Sequence, residues 1–436
     1  MKKRILSILL VVAMLAVMIP AFAVASSAET TVTDWDAEVI VINTVDDFLA
    51  FRNQLRAKKT FIGQTVELGA DLDLTGVSEA KGKNGKMGGI DSNCYFAGTF
   101  DGKFHTISNM TVDGHGYQGA MFGAVAIGLT TTVVIKNLSI VNANIKGSER
   151  MSTFYGAAYS PVSFENVYVN SNVTGVGNFS SGYIGHVAGK GAEFSFTNCV
   201  FDGTVNNSGG TGAFIGQIIT STDANYTNTK SVSFTNCINV SNREMLGANN
   251  HPTTVDITYN NCIQKYDAAV NGEGFNATAM ENFTALNTGY PVPTTLLPFF
   301  AGKVNGTAAA EGVTAKYAGY QDNGSMTALR LIGVVNGEAD ALASVGFEIT
   351  AVGPTGATVS FVDDITSVYT SVETPNGAKT AEELGGKYIY VTEIAGIKPN
   401  AGVATFAVKT YSVDADGNKT YTDMYIVSLD TTVEAN

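Results

Sequence analysis

The sequence predicts an all-β protein, a right-handed parallel β-helix closed at its N-terminal end by one helix and followed by an antiparallel β-sandwich. Two repeats and the composition carry that prediction. The phrase SFTNC starts at Ser195 and again at Ser233, with a looser copy, TYNNC, at Thr258. A second phrase, GAMFG (119–123), TFYG (153–156), GYIG (182–185) and GAFIG (212–216), ends on Gly123, Gly156, Gly185 and Gly216, which recur at intervals of 33, 29 and 31 residues. Gly, Thr, Val, Asn and aromatic residues are plentiful while helix-spaced runs of Leu, Glu, Lys and Arg are nearly absent, a balance that favours strands.

The chain opens MKKRILSILLVVAMLAVMIPAFAVASSAET: three basic residues, an apolar run from Ile5 to Ile19, then small residues. This is the pattern of a secretory signal peptide over residues 1–28, cleaved after Ala23, Ala25 or Ala28. The alternative is an uncleaved anchor, against which stands a run shorter than the about 20 residues of a spanning helix. No Cys precedes Cys94, so a lipid anchor on an N-terminal cysteine is not expected. Loss of Lys2, Lys3 and Arg4 takes the formal net charge from −13 to about −16. Bulk charge of that sign excludes nucleic acid and anionic membrane as partners, leaving neutral glycans and proteins, with no membrane insertion after the leader is removed.

In TVDDFLAFRNQL (44–55), Thr44 is a candidate N-cap with Asp47 three residues on, and Val45, Phe48, Leu49, Phe51 and Leu55 form an apolar stripe. A helix here would cover the open end of the first coil, whose strand edges are otherwise unpaired. TVELGADLDLTG (65–76) and FAGTFDGKFHTISNMTV (96–112) read as the first coils.

Aligning the repeats gives VIKNLSI (134–140), SFENVYV (163–169), SFTNCVF (195–201), SFTNCIN (233–239) and TYNNCIQ (258–264). Asn occupies one position throughout: Asn137, Asn166, Asn198, Asn236 and Asn261. The next residue is Leu138, Val167, Cys199, Cys237 or Cys262, so cysteine alternates with aliphatic residues at a small buried site, which a metal ligand or nucleophile would not do. Stacked coils would place Asn over Asn, able to hydrogen-bond from coil to coil, and Cys over Cys at about 4.8 Å. Parallel Cβ vectors at that spacing suit a bridge poorly, so buried thiols are expected, with one disulfide as the alternative. No CxxC or neighbouring His supports zinc, and no metal or cofactor is expected.

The segment SGYIGHVAGKGAEFSFTNCVFDGTVNNSGGTGAFIGQI (181–218) resembles the GLUG-motif unit of secreted and surface proteins of bacteria, and the likeness extends over about residues 35–264. The resemblance implies a pectate-lyase-like right-handed β-helix over residues 29–290 and says little about activity. DGHG (113–116) is similar to the Gly-His-Gly of pectin-degrading hydrolases, but the paired aspartates that such enzymes use as acid and base are missing beside it, so His115 reads as part of a turn. Asp71 and Asp73 share one strand face, where calcium or plain solvation is possible. His105 and His186 are single histidines in strands. Tyr117, Tyr155, Tyr159, Phe179 and Tyr183 are candidates for an exposed aromatic platform suited to sugar rings.

After Cys262 the repeat fades, and GYPVPTTLLPFFAG (289–302) marks a linker over 291–310. TALRLIGVV (327–335), VGFEIT (345–350), ITSVYTSV (365–372), KYIYVTEI (387–394), VATFAVKTYSV (403–413) and TYTDMYIVSL (420–429) read as strands of an Ig-like sandwich over 311–436, with DADGN (414–418) a hairpin turn. SMTALRLIGVV, SVGFEIT, SVYTSV and GGKYIYVTEI resemble a small β-sandwich module appended to extracellular, often carbohydrate-related, proteins of anaerobic Gram-positive bacteria. The expected function is non-catalytic: a secreted or cell-surface-associated binding or adhesion protein engaging a glycan or surface protein. The alternatives are a polysaccharide lyase or glycoside hydrolase, and a structural spacer.

Overall fold

The computed structural model describes residues 31–77, 95–113, 119–125, 128–207, 209–219, 229–247, 255–264, 282–285, 290–300, 313–322, 327–335, 342–353, 358–365, 367–374, 377–397, 403–421 and 425–430. Residues 1–28, expected as a leader, and Cys94, His115 and Tyr117 lie outside them. The molecule is all-β with few helices, and its first part is a parallel β-solenoid of about four turns.

The main ladder runs through Val39–Ile42, Thr65–Leu68, Thr99–Ser108, Val133–Gly147, Val162–Gly175, Glu193–Thr197, Ser231–Thr235 and Asp256–Asn260, each strand parallel to the next. A second wall stacks Ala124–Val125, Ala157–Ala158, Ile184–Val187 and Ile215–Ile218. The register puts like on like: Phe164, Phe196, Phe234 and Tyr259 align, and their rings stack with centroids 5.1, 5.0 and 5.1 Å apart and nearly parallel planes. Opposite them Tyr183 stacks on Phe214 at 4.8 Å. Each coil therefore offers the next the same apolar surface it was offered itself.

The first coil is covered by α1 (Val45–Arg56). Its start is a full capping box: Thr44 Oγ1 accepts from Asp47 N, and the Asp47 carboxylate accepts from Thr44 N at 3.0 Å. Asp47 is fully buried, and donors from Thr31 and Asn43 complete its shell, so the charge costs little. Phe48, Phe51 and Leu55 face inward, where Phe51 meets Phe61, Phe96, Phe100 and Phe122.

Beyond the solenoid the strands are antiparallel. Val313–Asp322, Thr327–Val335 and Tyr388–Ile397 form one sheet, and Leu342–Val352, Thr358–Ile365, Val403–Asp414, Lys419–Tyr421 and Tyr425–Asp430 another. Leu331, Phe347, Ile349, Tyr390, Phe406 and Val408 make a shared core. DADGN joins Val403–Asp414 to Lys419–Tyr421, with Asp414 accepting from Asp416 N and Asn418 N. One strand expected as a single run is divided: ITSVYTSV spans the end of one strand and the start of Ser371–Thr374, with Tyr369 exposed between them. The described parts of TYTDMYIVSL, in Lys419–Tyr421 and Tyr425–Asp430, both pair with Val403–Asp414.

The segment read as a linker is built differently over its described part. Pro291–Pro293 pairs antiparallel with Phe283–Ala285, and Thr294–Phe300 is a 3-10 helix. Leu296, Leu297, Phe299 and Phe300 are buried in a cluster that joins Tyr168, Val200, Ile238 and Ile263 of the solenoid to Val352, Ala407 and Ile426 of the antiparallel part. The prolines suit the structure because 3-10 and edge positions tolerate a missing N–H, while the four apolar side chains turn the segment into a wedge. Tyr290 adds a polar fixing, its hydroxyl donating to Asp202 Oδ2 at 2.6 Å beside Tyr168, whose own hydroxyl is 3.0 Å from the same oxygen.

Candidate ligand-binding face

Three columns fix how each coil presents its outer side chains. In the first, Asn261, Asn236, Asn198 and Asn166 each donate Nδ2–H to the Oδ1 of the Asn one coil earlier, at 2.8, 2.9, 2.9 and 2.9 Å, ending on Asn137. Asn137 then donates to Asp101 Oδ1 at 3.0 Å. All five asparagines also sit at positive φ, between 50° and 54°. Asn is thus required twice over: it is among the few residues that tolerate a left-handed backbone, and its amide both donates and accepts along the stack.

The second column is glycine. A Cβ on Gly185 would lie 2.6 Å from Gly156 O, one on Gly216 2.5 Å from Gly185 O, and one on Gly247 2.0 Å from Gly216 O. Backbone approaches backbone there too closely for any side chain. Gly247 extends the series to a fifth copy, MLG (245–247), whose signal in sequence is only the apolar pair before the glycine. The third column is Leu138, Val167, Cys199, Cys237 and Cys262, all fully buried, the cysteines as free thiols. Burial pushes the Cys237 thiol up, and the contact with Cys237 does the same for Cys262, so neither is a thiolate at neutral pH.

With those positions occupied, alternate residues of each main-ladder strand point out and form two rows of eight in register. One row is Val39, Thr65, Thr99, Val134, Ser163, Ser195, Ser233 and Thr258. The other is Val41, Glu67, Asp101, Lys136, Glu165, Thr197, Thr235 and Asn260. The second row changes character along the axis. After Val41 its earlier coils are charged and paired, with Lys136 Nζ 3.3 Å from Asp101 Oδ2 within the row and Lys103 Nζ, from outside it, 3.7 Å from Glu67 Oε1. Its last three residues are neutral. Of the six side chains on the last three coils, Ser195 donates to Ser163 Oγ at 2.9 Å, while Thr197, Ser233, Thr235, Thr258 and Asn260 make no side-chain hydrogen bond to the described residues. All six are half-buried or exposed. The result is a flat field of neutral donors and acceptors. Its signal in sequence was the S-x-T within SFTNC itself.

Among the described residues the expected aromatic platform does not assemble. Tyr155 and Tyr183 are fully buried and point inward. They occupy the phrase that ends in the stacked glycine, where large rings fill the coil, and their hydroxyls are satisfied by backbone carbonyls: Tyr183 lies 2.8 Å from both Val167 O and Val200 O, and Tyr155 donates to Phe96 O at 3.3 Å. Burial raises both phenols well above their usual range. Tyr159 and Phe179 are half-buried, and both rings stand edge-on to His186, at 5.6 and 6.1 Å. His186 is buried, with neither ring nitrogen hydrogen-bonded among the described residues, and burial, with Arg150 nearby, lowers its pKa to about 3. It is a neutral packing residue at physiological pH.

Asp71 and Asp73 do share an exposed face, between Leu72 and Leu74 pointing inward. Asp71 Oδ1 is 3.2 Å from His105 Nδ1 and accepts from Thr106 N at 2.8 Å. Asp73 Oδ1 accepts from Asn109 Nδ2 and from Thr75, contacts that hold its carboxyl below the usual range. Asp363 and Asp364 are engaged by the hydroxyls of Thr392 and Tyr411. Among the described residues no group of three or more His, Cys, Asp or Glu is placed to hold a metal ion, and no helix is long and apolar enough to cross a membrane.

These features define the class as an all-β protein carrying a parallel β-solenoid. No family model matches the chain, and no solved structure matches it. Among curated proteins it is similar to halomucin of Haloquadratum walsbyi, 30% identical over 155 residues, which are 34% of this chain and 2% of halomucin. The chain thus matches a very small part of that protein's length.

Proposed function

We propose that this is an exported, non-catalytic binding protein that engages a glycan or a surface protein through its solenoid. In this reading residues 1–28 are a cleaved leader, the coil is right-handed and of the GLUG-like kind, and the antiparallel sheets are an Ig-like sandwich. One observation carries it: two rows of outward side chains held in register over eight parallel strands. A surface fixed by stacked asparagines, glycines and aromatic rings is ordered before it meets a ligand, so binding loses little conformational entropy. Its length suits a polymeric or extended partner better than a small molecule, for which a concave pocket is usual.

The test is a glycan array probed with the mature protein, followed by recovery of the bound ligand. Intact ligand is the expected result. Shortened ligand would turn the assignment to a polysaccharide lyase or hydrolase, and no retention of any glycan would turn it to a protein partner or a spacer.

A further inference from the structure

We infer that the C-terminal half of the outer face, Ser195 and Thr197, Ser233 and Thr235, Thr258 and Asn260, is the binding surface, and that its ligand is a neutral, extended polysaccharide lying along the solenoid axis. This rests on the glycan reading above and specifies its site and its chemistry.

Three features lead there. The first is hydrogen-bonding capacity left facing solvent: five of these six side chains have no protein partner among the described residues, whereas Glu67, Asp101 and Lys136 of the earlier coils are engaged in ion pairs. Hydroxyl and amide groups both donate and accept, as the hydroxyls of a neutral sugar do. The second is spacing. Strands stack about 4.8 Å apart, close to the advance of one pyranose ring in an extended β-linked chain, so successive rings meet successive coils, and the two rows stand about 7 Å apart across the chain. The third is charge. Glu165, Glu193 and Asp256 border the field, Lys230 being engaged by Glu193, and the chain as a whole is acidic, which disfavours polyuronates and sulfated chains. The aromatic residues found inside the coils leave hydrogen bonding, rather than ring stacking, as the means of recognition.

The experiment uses the full mature chain, cellohexaose and chitohexaose as neutral probes, and hexagalacturonate as the anionic one, with calorimetric titration as the readout. Thr197→Val with Thr235→Val keeps β-branched shape on an outward face and removes two hydroxyls. The expected outcome is binding of at least one neutral hexasaccharide, weakened about tenfold in the double variant with an unchanged melting temperature, since each hydrogen bond contributes about 0.5–1.5 kcal/mol. Neutral binding that is unaffected by the double variant overturns this site while leaving a glycan-binding protein. Equal or tighter binding of hexagalacturonate overturns the charge argument and hence the ligand class. Failure of the wild-type chain to bind any glycan, on the array or in solution, removes the underlying reading as well.

Discussion

The solenoid and the antiparallel part solve the same problem, burying one face of a strand, by different means. In the solenoid a residue's main partner is its own counterpart one coil away, as in Phe164, Phe196 and Phe234 or the five asparagines. In the antiparallel part partners are unlike and particular: Tyr411 with Asp364, Thr392 with Asp363, Tyr421 with Glu348. The difference teaches where damage spreads. A change in a column disturbs two neighbours that each depend on a further neighbour, as in other linear repeat folds, whereas a change in a private pair stops at that pair.

The sharpest way to break this comparison is Asn166→Asp. Asp tolerates positive φ nearly as well as Asn, so the turn survives, but an ionised carboxylate cannot donate to Asn137 and is almost fully buried. A loss of about 3 kcal/mol at pH 7 is expected by denaturant unfolding, partly regained at pH 5 as the carboxyl takes a proton and can donate. No loss at pH 7 would mean that the column contributes nothing beyond its turns.

A smaller effect is expected at His186. Its pKa falls from 6.5 to about 3 on folding, so below pH 6.5 the unfolded chain takes up a proton that the folded chain refuses. Stability from this residue is complete above pH 6.5 and declines as pH falls toward 3, by about 2 kcal/mol between pH 6.5 and 5. Stability–pH curves for the wild type and His186→Gln should therefore converge or cross on acidification. Parallel curves would show that the ring is not held neutral by its surroundings.

The smallest change is expected for Tyr411→Phe in the antiparallel part, about 1 kcal/mol for one hydroxyl–carboxylate contact. Hydrogen exchange should quicken on Val403–Asp414 and its neighbours alone. Faster exchange in the solenoid would show that the two parts share one cooperative unit through the wedge at Thr294–Phe300.

Much of the solenoid was legible because its order is periodic: the Asn and Cys positions fall out of aligning five short phrases, and the helix announces itself through Thr44 and Asp47. The wedge was not, because its three prolines suggest a connection, although Leu296, Leu297, Phe299 and Phe300 are poor residues for a solvated linker. Tyr155 and Tyr183 were misplaced for a related reason. Taken singly they look like sugar-stacking rings, while their place in the repeat, just before the stacked glycines, puts them inside. The outer rows needed register, which one strand's sequence does not contain.

The asparagine column also has a direction. Every amide donates toward the N-terminus, and the series stops at Asp101, a carboxylate that can only accept and is already engaged by Lys103 N and Lys136. A duplicated coil inserted between Asn137 and Asn261 would find both a donor above and an acceptor below without any other change in sequence, whereas one placed ahead of Asp101 would face a carboxylate with no proton to donate to it. Growth of such a protein by tandem duplication is therefore open in its interior and closed at its capped end, which makes its length an easily adjusted quantity and its beginning a fixed one.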